Sequence, residues 1–304
     1  MTPRPLNPQA FTNSLRARAT NASRTTGVPP RELLESYYHR RLLARVFHTD
    51  GENWVLKGGQ ALLVRWPKAR YSTDVDLLRT DTETTIDDAV TALIAAVAAD
   101  LDDQLRYDHH DTSPERPASR KVRFKVMFGL RQLSVVSVDV VVAGVRPLGE
   151  VVVEQLAAPF AVESGAWPAV RMWPLEDHVA DKIAAMYERH GARLGPSTRF
   201  KDLVDLVLIA HRATMDGPVT HATLHAEVLR RHAAGTHLVL PSSFAVPDPV
   251  WTTGYRAEAA KARDLPDAYR TLDGATPLAD AFVTPLLQHP GPEGRWQSEH
   301  RRWT

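Results

Sequence analysis

At 304 residues the chain can fold as one large domain or two of ordinary size. Its 37 lysines and arginines against 36 acidic residues leave a net charge of +1, so affinity for nucleic acid must come from a local patch rather than from the global field. The lack of cysteine excludes disulfides, thiol catalysis and cysteine-ligated zinc, and neither residues 1–8 nor the longest apolar run, 92–99, suits a secretory signal or a membrane span, so a soluble, cytoplasmic protein without membrane partners is expected.

Two helices are predicted over 9–24 and 31–48, broken by Gly27-Val28-Pro29-Pro30. The second carries Leu34, Tyr38, Leu42 and Val46 on one stripe; Arg40, Arg41 and Arg45 fall largely off it and are expected on a solvated face. An apolar run, 54–56, then leads into Gly58-Gly59, which opens a short helix and leaves backbone N–H groups free to meet an anion. Fourteen residues separate Gly59 from Asp74-Val75-Asp76-Leu77. In a strand, Asp74 and Asp76 point to one side while Val75 enters the core. Two adjacent carboxylates repel each other and call for a cation between them, most simply a hard divalent ion that also bridges nucleotide phosphates. With Lys57 before the glycines and Arg70 and Ser72 before the aspartates, the segment reads as a nucleotidyltransferase active site with a nucleotide-binding rim.

Thr84-Thr85 starts a further helix, with Asp87 and Asp88 placed to cap it. Residues 106–118 read as a loop in which His109-His110-Asp111 is polar filler rather than a metal site. Lys121, Arg123 and Lys125 alternate with Val122, Phe124 and Val126, giving a strand with one basic face. That face is either a charge-protected sheet edge or a cationic floor for nucleotide or RNA backbone. The next strand, 133–142, holds Asp139 among valines, where an unpaired carboxylate would cost several kcal/mol and needs a cation or donors.

From residue 147 onward the pattern turns helical. Leu175, Val179, Lys182 and Met186 share one helical face, so Lys182 lies in an apolar stripe and either snorkels outward or reaches into a cleft. Asp202 and Asp205 are i,i+3 neighbours in a helix otherwise apolar to Ile209, and at least one should be fixed by a partner. Residues 220–232 form one more predicted helix, 238–247 are irregular, and Trp251, Trp296 and Trp303 are expected to pack onto the helical part rather than to stack bases.

Gly58-Gly59-Gln60-Ala61-Leu62, Arg65 and Arg70-Tyr71-Ser72-Thr73-Asp74-Val75-Asp76-Leu77 resemble the AbiEii/AbiGii-type nucleotidyltransferase toxins, a branch of the polymerase-beta-like nucleotidyltransferase superfamily. That pattern is Gly-Gly-x-Ala-Leu, an Arg a few residues on, then Arg-x-Ser/Thr-x-Asp-h-Asp-Leu with h apolar; the wider superfamily more often has Gly-Ser. The resemblance is sharp over 54–79 and 175–206, looser over 30–53 and 120–142, and weak beyond 215, where 249–251 and 255–263 are similar to the family's docking tail. It implies an α/β fold: a nucleotidyltransferase core with a small mixed sheet flanked by helices, plus a C-terminal helical domain. The divisions expected are 1–50, an N-terminal helical segment; 51–160, the core; and 161–304, mainly helical.

The resemblance further implies that Asp139 is the third metal carboxylate beside Asp74 and Asp76, that Lys182 faces the triphosphate, and that either Asp202 or Asp205 is the family's last acid. Mg2+, or Mn2+, is the implied cofactor. The implied reaction transfers NMP from an NTP to an acceptor hydroxyl, in a toxin with a cognate antitoxin, most simply at a tRNA 3′ end so that translation stops. Two rivals are a nucleotidyltransferase that modifies a small molecule such as an antibiotic, and a protein-modifying or inactive member that binds a partner. A phosphoryl group on Ser72 or Thr73 would put negative charge beside the metal carboxylates, a candidate off-switch for an antitoxin with kinase activity; the alternative is that Ser72 simply bonds backbone. No DNA-binding motif is present.

Overall fold

A computed structural model describes residues 7–81, 84–114, 119–142, 147–162, 165–189 and 194–304. The chain divides into two compact units: Met1–Pro67, Tyr71–Arg146 and Val152–Met172 form the first, and Lys68–Arg70, Pro147–Val151 and Trp173–Thr304 the second.

The first unit begins with helices α1 (Pro8–Thr26) and α2 (Pro30–Asp50), which pack on each other. Asn7 caps α1 by accepting from the Ala10 N–H, and Gly27 ends it at φ +72°, where a glycine costs little. Strands β1 (Trp54–Lys57) and β2 (Asp74–Arg79) flank helix α3 (Gly58–Arg65), and α4 (Ile86–Val97) follows. Thr85 and Asp88 close a reciprocal capping box at the start of α4, as the sequence predicts. Strands β3 (Arg106–Thr112), β4 (Ser119–Phe128), β5 (Arg131–Val142), β6 (Val152–Gln155) and β7 (Ala169–Met172) complete a seven-stranded mixed sheet in the order β3-β4-β5-β2-β1-β7-β6. Pairings β2–β5 and β1–β7 are parallel, the others antiparallel. Val75, Leu77, Val122, Phe124, Val138 and Val140 turn inward to a core shared with Leu42, Leu43 and Val46 of α2 and Leu93 and Val97 of α4.

Three expectations need correction here. Residues 106–112 are a strand, not a loop: only Tyr107 is buried, so the segment lacks an alternating pattern, and its order comes from backbone pairing with β4. Residues 115–118 of that predicted loop lie outside the described residues. The basic strand β4 is interior, between β3 and β5, so its charges do not guard an edge; that position belongs to the polar β3. Finally, Arg40, Arg41 and Arg45 are buried rather than solvated. Asp103, in the turn between α4 and β3, receives Arg41 Nε at 2.5 Å and Arg45 Nη2 at 2.6 Å, while Arg40 donates to the Ala157 and Leu63 carbonyls. A distant carboxylate and backbone oxygens thus supply what water would have supplied.

In the second unit, helices α5 (Leu175–Tyr187), α6 (Phe200–Arg212), α7 (Gly217–Ala233), α8 (Trp251–Ala259) and α9 (Leu272–Leu287) dominate. Two small sheets accompany them: β8 (Glu188–Arg189) with β10 (His237–Leu238), and β9 (Met215–Asp216) with β11 (Arg295–Gln297) and β12 (Arg302–Trp303). Trp251 and Trp296 are fully buried, each donating its indole N–H to a backbone carbonyl, and Trp303 stacks on Phe282. These tryptophans pack as expected. No helix among the described residues is long and apolar enough to cross a membrane.

Candidate active site

The first unit gathers the three carboxylates singled out in the sequence. β2 and β5 run parallel with Asp76 opposite Asp139, β4 places Lys121 opposite Asp139, and β1 places Lys57 opposite Asp76. Paired residues share a sheet face, so Lys57, Asp76, Asp139 and Lys121 form one row across four strands, on the side away from Val75, Leu77, Val138 and Val140. Asp74 lies two residues from Asp76 and faces the same way. The turn from β1 into α3 fits this row closely. Gly58 has φ +64°, and a Cβ there would fall 1.9 Å from Asp76 Oδ2. Glycine is therefore required both by backbone conformation and by the adjacent carboxylate.

Lys121 Nζ sits 3.1 Å from Asp74 Oδ1 and 3.2 Å from Asp139 Oδ2. Partial burial opposes its charge, but hydrogen bonds to the two carboxylates outweigh that and raise its pKa. The point between Asp74 and Asp139 thus already accommodates a positive charge, and an all-oxygen, part-exposed donor set suits a hard divalent cation. The residues fit such a cation.

The basic face of β4 is largely neutralised. Besides Lys121, Arg123 donates to Asp111 of β3 at 2.8 Å, directly opposite it in register. The cationic-floor expectation therefore loses two of its three charges to protein carboxylates.

Behind Asp74 the loop into β2 is held by a residue that occupies the variable slot of the glycine motif. Gln60, almost fully buried, donates from Nε2 to the Ser72 carbonyl at 2.8 Å and to His39 Nδ1 at 2.9 Å. This orientation of the amide is required, since the Ser72 carbonyl can only accept. Burial depresses the His39 pKa to about 4, against a smaller opposing effect of Asp74, which keeps the ring neutral and its Nδ1 free to accept. Ser72 Oγ lies 3.4 Å from the Asp74 carbonyl, a long contact. A cavity of about 650 Å3 opens beside Asp74, lined by His39, Tyr71, Thr73, Arg123 and Ser137 among others. The roles of Gln60 and His39 escaped the sequence reading, and Lys121 was read there as part of a basic face, not as a partner of Asp74 and Asp139. The strand register that joins Lys121 to Asp139 has no local signal, and a buried glutamine in a variable slot has none either.

The second unit holds the other group. Lys182 on α5 is buried and donates to Asp205 Oδ2 at 2.7 Å and Asp202 Oδ1 at 3.2 Å, both on α6. Arg70 forks onto Asp205 through Nε at 3.2 Å and Nη2 at 3.1 Å, and Arg199 Nε meets Asp202 Oδ2 at 2.6 Å. Burial alone would raise the Asp205 pKa; Lys182 and Arg70 overcome it and hold the carboxyl at about 2. Burial likewise opposes the Lys182 charge, and Asp205 and Asp202 more than restore it, so its pKa is raised. Asp202 and Asp205 are both buried and both bind Lys182, which does not snorkel.

The sequence profile of the family described as "Nucleotidyl transferase AbiEii toxin, Type IV TA system" matches residues 41–283. Among solved structures, MenT4, a nucleotidyltransferase toxin from Mycobacterium tuberculosis, superposes with a TM-score of 0.53 at 17% identity, covering 86% of this chain and 92% of that one. A putative nucleotidyltransferase from H. pylori is more distant, with a TM-score of 0.45 at 13% identity over 86% of this chain and 95% of its own. The MenT4 likeness shows a shared fold. No curated protein matches the chain at a significant level.

Proposed function

The chain belongs to the AbiEii nucleotidyl transferase toxin family, and on that premise we propose that it transfers NMP from an NTP to the 3′-terminal hydroxyl of a tRNA. Membership itself makes it a nucleotidyltransferase toxin, with an NTP substrate and a cognate antitoxin. The observation that carries the residue assignment is the row of Asp76 and Asp139 on adjacent parallel strands, with Asp74 beside them and Gly58 closed against the Asp76 carboxylate.

Asp74, Asp76 and Asp139 would hold Mg2+ or Mn2+, which supplies positive charge to the triphosphate and makes the α-phosphate more electrophilic. Gly58 and Gly59 lie in the first turn of α3, whose N–H groups have no partner within the helix and suit phosphate oxygens. Lys57 and Ser72 flank this turn and the start of β2. Asp139 accepts the proton of the attacking hydroxyl. The acceptor oxygen bonds to the α-phosphorus as the bond to the bridging oxygen breaks, and pyrophosphate leaves. Lys121 exchanges its carboxylate contacts for phosphate oxygens as a mobile point charge. Within the second unit, Lys182 is assigned as a phosphate contact, kept ionised by Asp205 and Asp202 against the opposing charge of Arg70, which shares Asp205 with it.

The cavity beside Asp74 supports an acceptor that ends in a nucleoside, since its volume and its mixed lining with Tyr71 suit one. A small-molecule acceptor is the second reading, favoured by the pairing of Lys121 and Arg123 with protein carboxylates. Purified protein, Mg2+, each of the four α-32P-labelled NTPs and total tRNA distinguish them. Label at the tRNA 3′ end, absent with Asp76→Ala, is expected; active protein that labels only small acceptors would overturn the tRNA assignment.

A further inference from the structure

Far along the chain from the carboxylate row, three histidines of the second unit converge. His221 and His225 are i,i+4 neighbours on α7 and so project from one face of that helix. His289 follows Gln288, the residue that caps α9. Their imidazole centroids lie 4.3 Å apart for His221–His225 and His225–His289, and 5.1 Å apart for His221–His289. One ring nitrogen from each can be chosen so that no two are more than 4.8 Å apart. From these positions we infer that His221, His225 and His289 form a binding site for a transition-metal dication of the zinc class, separate from the carboxylate row and tying α7 to the chain that leaves α9.

Two features of the cluster favour an ion over plain packing. His221 Nε2 lies 3.0 Å from His225 Nε2 and also 3.0 Å from the Gln288 carbonyl oxygen. His221 Nε2 carries either a proton, which can be aimed at the Gln288 carbonyl, or a lone pair, which can accept from His225, so both contacts cannot be made in a straight line. A cation at the centre removes the conflict, because all of these atoms become donors to it. The distances are also nearly right. Around a tetrahedral ion with bonds of about 2.0 Å, ligand nitrogens are about 3.3 Å apart. The His221–His225 pair would open by about 0.3 Å and His289 would close in by side-chain rotation.

The backbone that carries His289 is positioned independently of any ion. The Gly217 N–H at the start of α7 donates to the Gly294 carbonyl at 2.9 Å, and β9 and β11 pair nearby in register. A Cβ on Gly291 would lie 2.4 Å from the His221 ring, so the chain is closed onto that imidazole. The site is therefore preorganised, which lowers the cost of assembling it around a metal. Its chemistry also sets it apart. Three neutral nitrogens and a carbonyl select zinc, nickel or copper over magnesium, whereas the oxygen set of Asp74, Asp76 and Asp139 does the reverse.

The test uses the untagged full chain, stripped with a chelator, and zinc chloride competed against a chromophoric indicator. One equivalent of zinc per chain is expected, undisturbed by millimolar Mg2+ and retained in Asp76→Ala. His225→Ala and His289→Ala should each weaken it by more than about 100-fold, the upper end for losing only a supporting partner of a ligand. Co2+ should give the visible absorption of a tetrahedral nitrogen-rich site in the wild type and not in the variants. His289 is exposed, so its alanine variant remains informative even if His225→Ala fails to fold. Absence of stoichiometric zinc, or stoichiometric zinc with unchanged affinity in His289→Ala, would overturn the assignment.

Discussion

Each unit of this chain contains a lysine shared by two aspartates, and the two arrangements differ chiefly in water. In the first, Lys121 joins Asp74 and Asp139, and the three side chains keep 32%, 41% and 34% of their surface exposed. In the second, Lys182 joins Asp202 and Asp205, which keep 3% and 1%. Exposed ion pairs contribute roughly 0–1 kcal/mol, since solvent competes for both partners. Such an ammonium can leave and be replaced by another cation. Buried carboxylates deprived of their cation have no water to turn to, and breaking the pair costs about 3–5 kcal/mol. The same residue types thus make an exchangeable site on the sheet face and a fixed one between α5 and α6.

The sharpest way to break this contrast is through activity. Asp76→Ala and Asp74→Ala are expected to reduce nucleotide transfer by about a thousandfold or more, as loss of a metal clamp removes several kcal/mol of transition-state stabilisation. Thermal unfolding should stay close to wild type because the carboxylates are partly solvated. Transfer at near wild-type rate in either variant would sink the assignment. Asp205→Ala should behave in the opposite way. It leaves Lys182 and Arg70 without their shared carboxylate, and urea titration should show a loss of about 3–5 kcal/mol. A stability change under about 1 kcal/mol would show that the network is solvated after all.

pH separates the units further. His39 has its folded pKa lowered to about 4, so below the unfolded value of about 6.5 the unfolded chain binds the proton that the native chain refuses. Stability should fall between pH 6.5 and 4, by roughly 3 kcal/mol from this group. His39→Gln, measured by denaturant titration across that range, should remove the slope. Asp205 has its folded pKa depressed, so its contribution is complete above the unfolded value near 4 and disappears as pH falls through about 2. The smallest effect belongs to Lys121. Lys121→Met should change stability by less than about 1 kcal/mol, yet lower the Mg2+ concentration needed for half-maximal transfer, because a competing cation is gone. A raised requirement would show that Lys121 supports the metal carboxylates instead of standing in for an ion.

Much of the site could be read locally because its parts are local. A glycine pair at a strand-to-helix turn and an Asp-x-Asp alternation need only the period of a strand to place both carboxylates on one face. Helix α4 was equally plain, from its cap. Helix α9 was not, because Pro277 and Pro285 interrupt a sequence that is otherwise apolar and helical. Strand β3 was missed for the opposite reason, having one buried side chain and no alternation.

By itself, then, the sequence determined the elements whose residues speak for themselves: the Gly58 turn, the shared face of Asp74 and Asp76, the family, and the apolar stripe in which Lys182 sits, though not whether that lysine is buried. Only the tertiary structure decided which charges meet. That β5 lies in register beside β2 with β4 next in order, that Asp103 reaches Arg41 and Arg45, and that Gln60 holds Ser72 through its amide are all pairings between residues distant in sequence. Periodicity reports which way a side chain points. What it finds there depends on where the rest of the chain has packed, and for a buried charge that partner is the difference between a cost and a site.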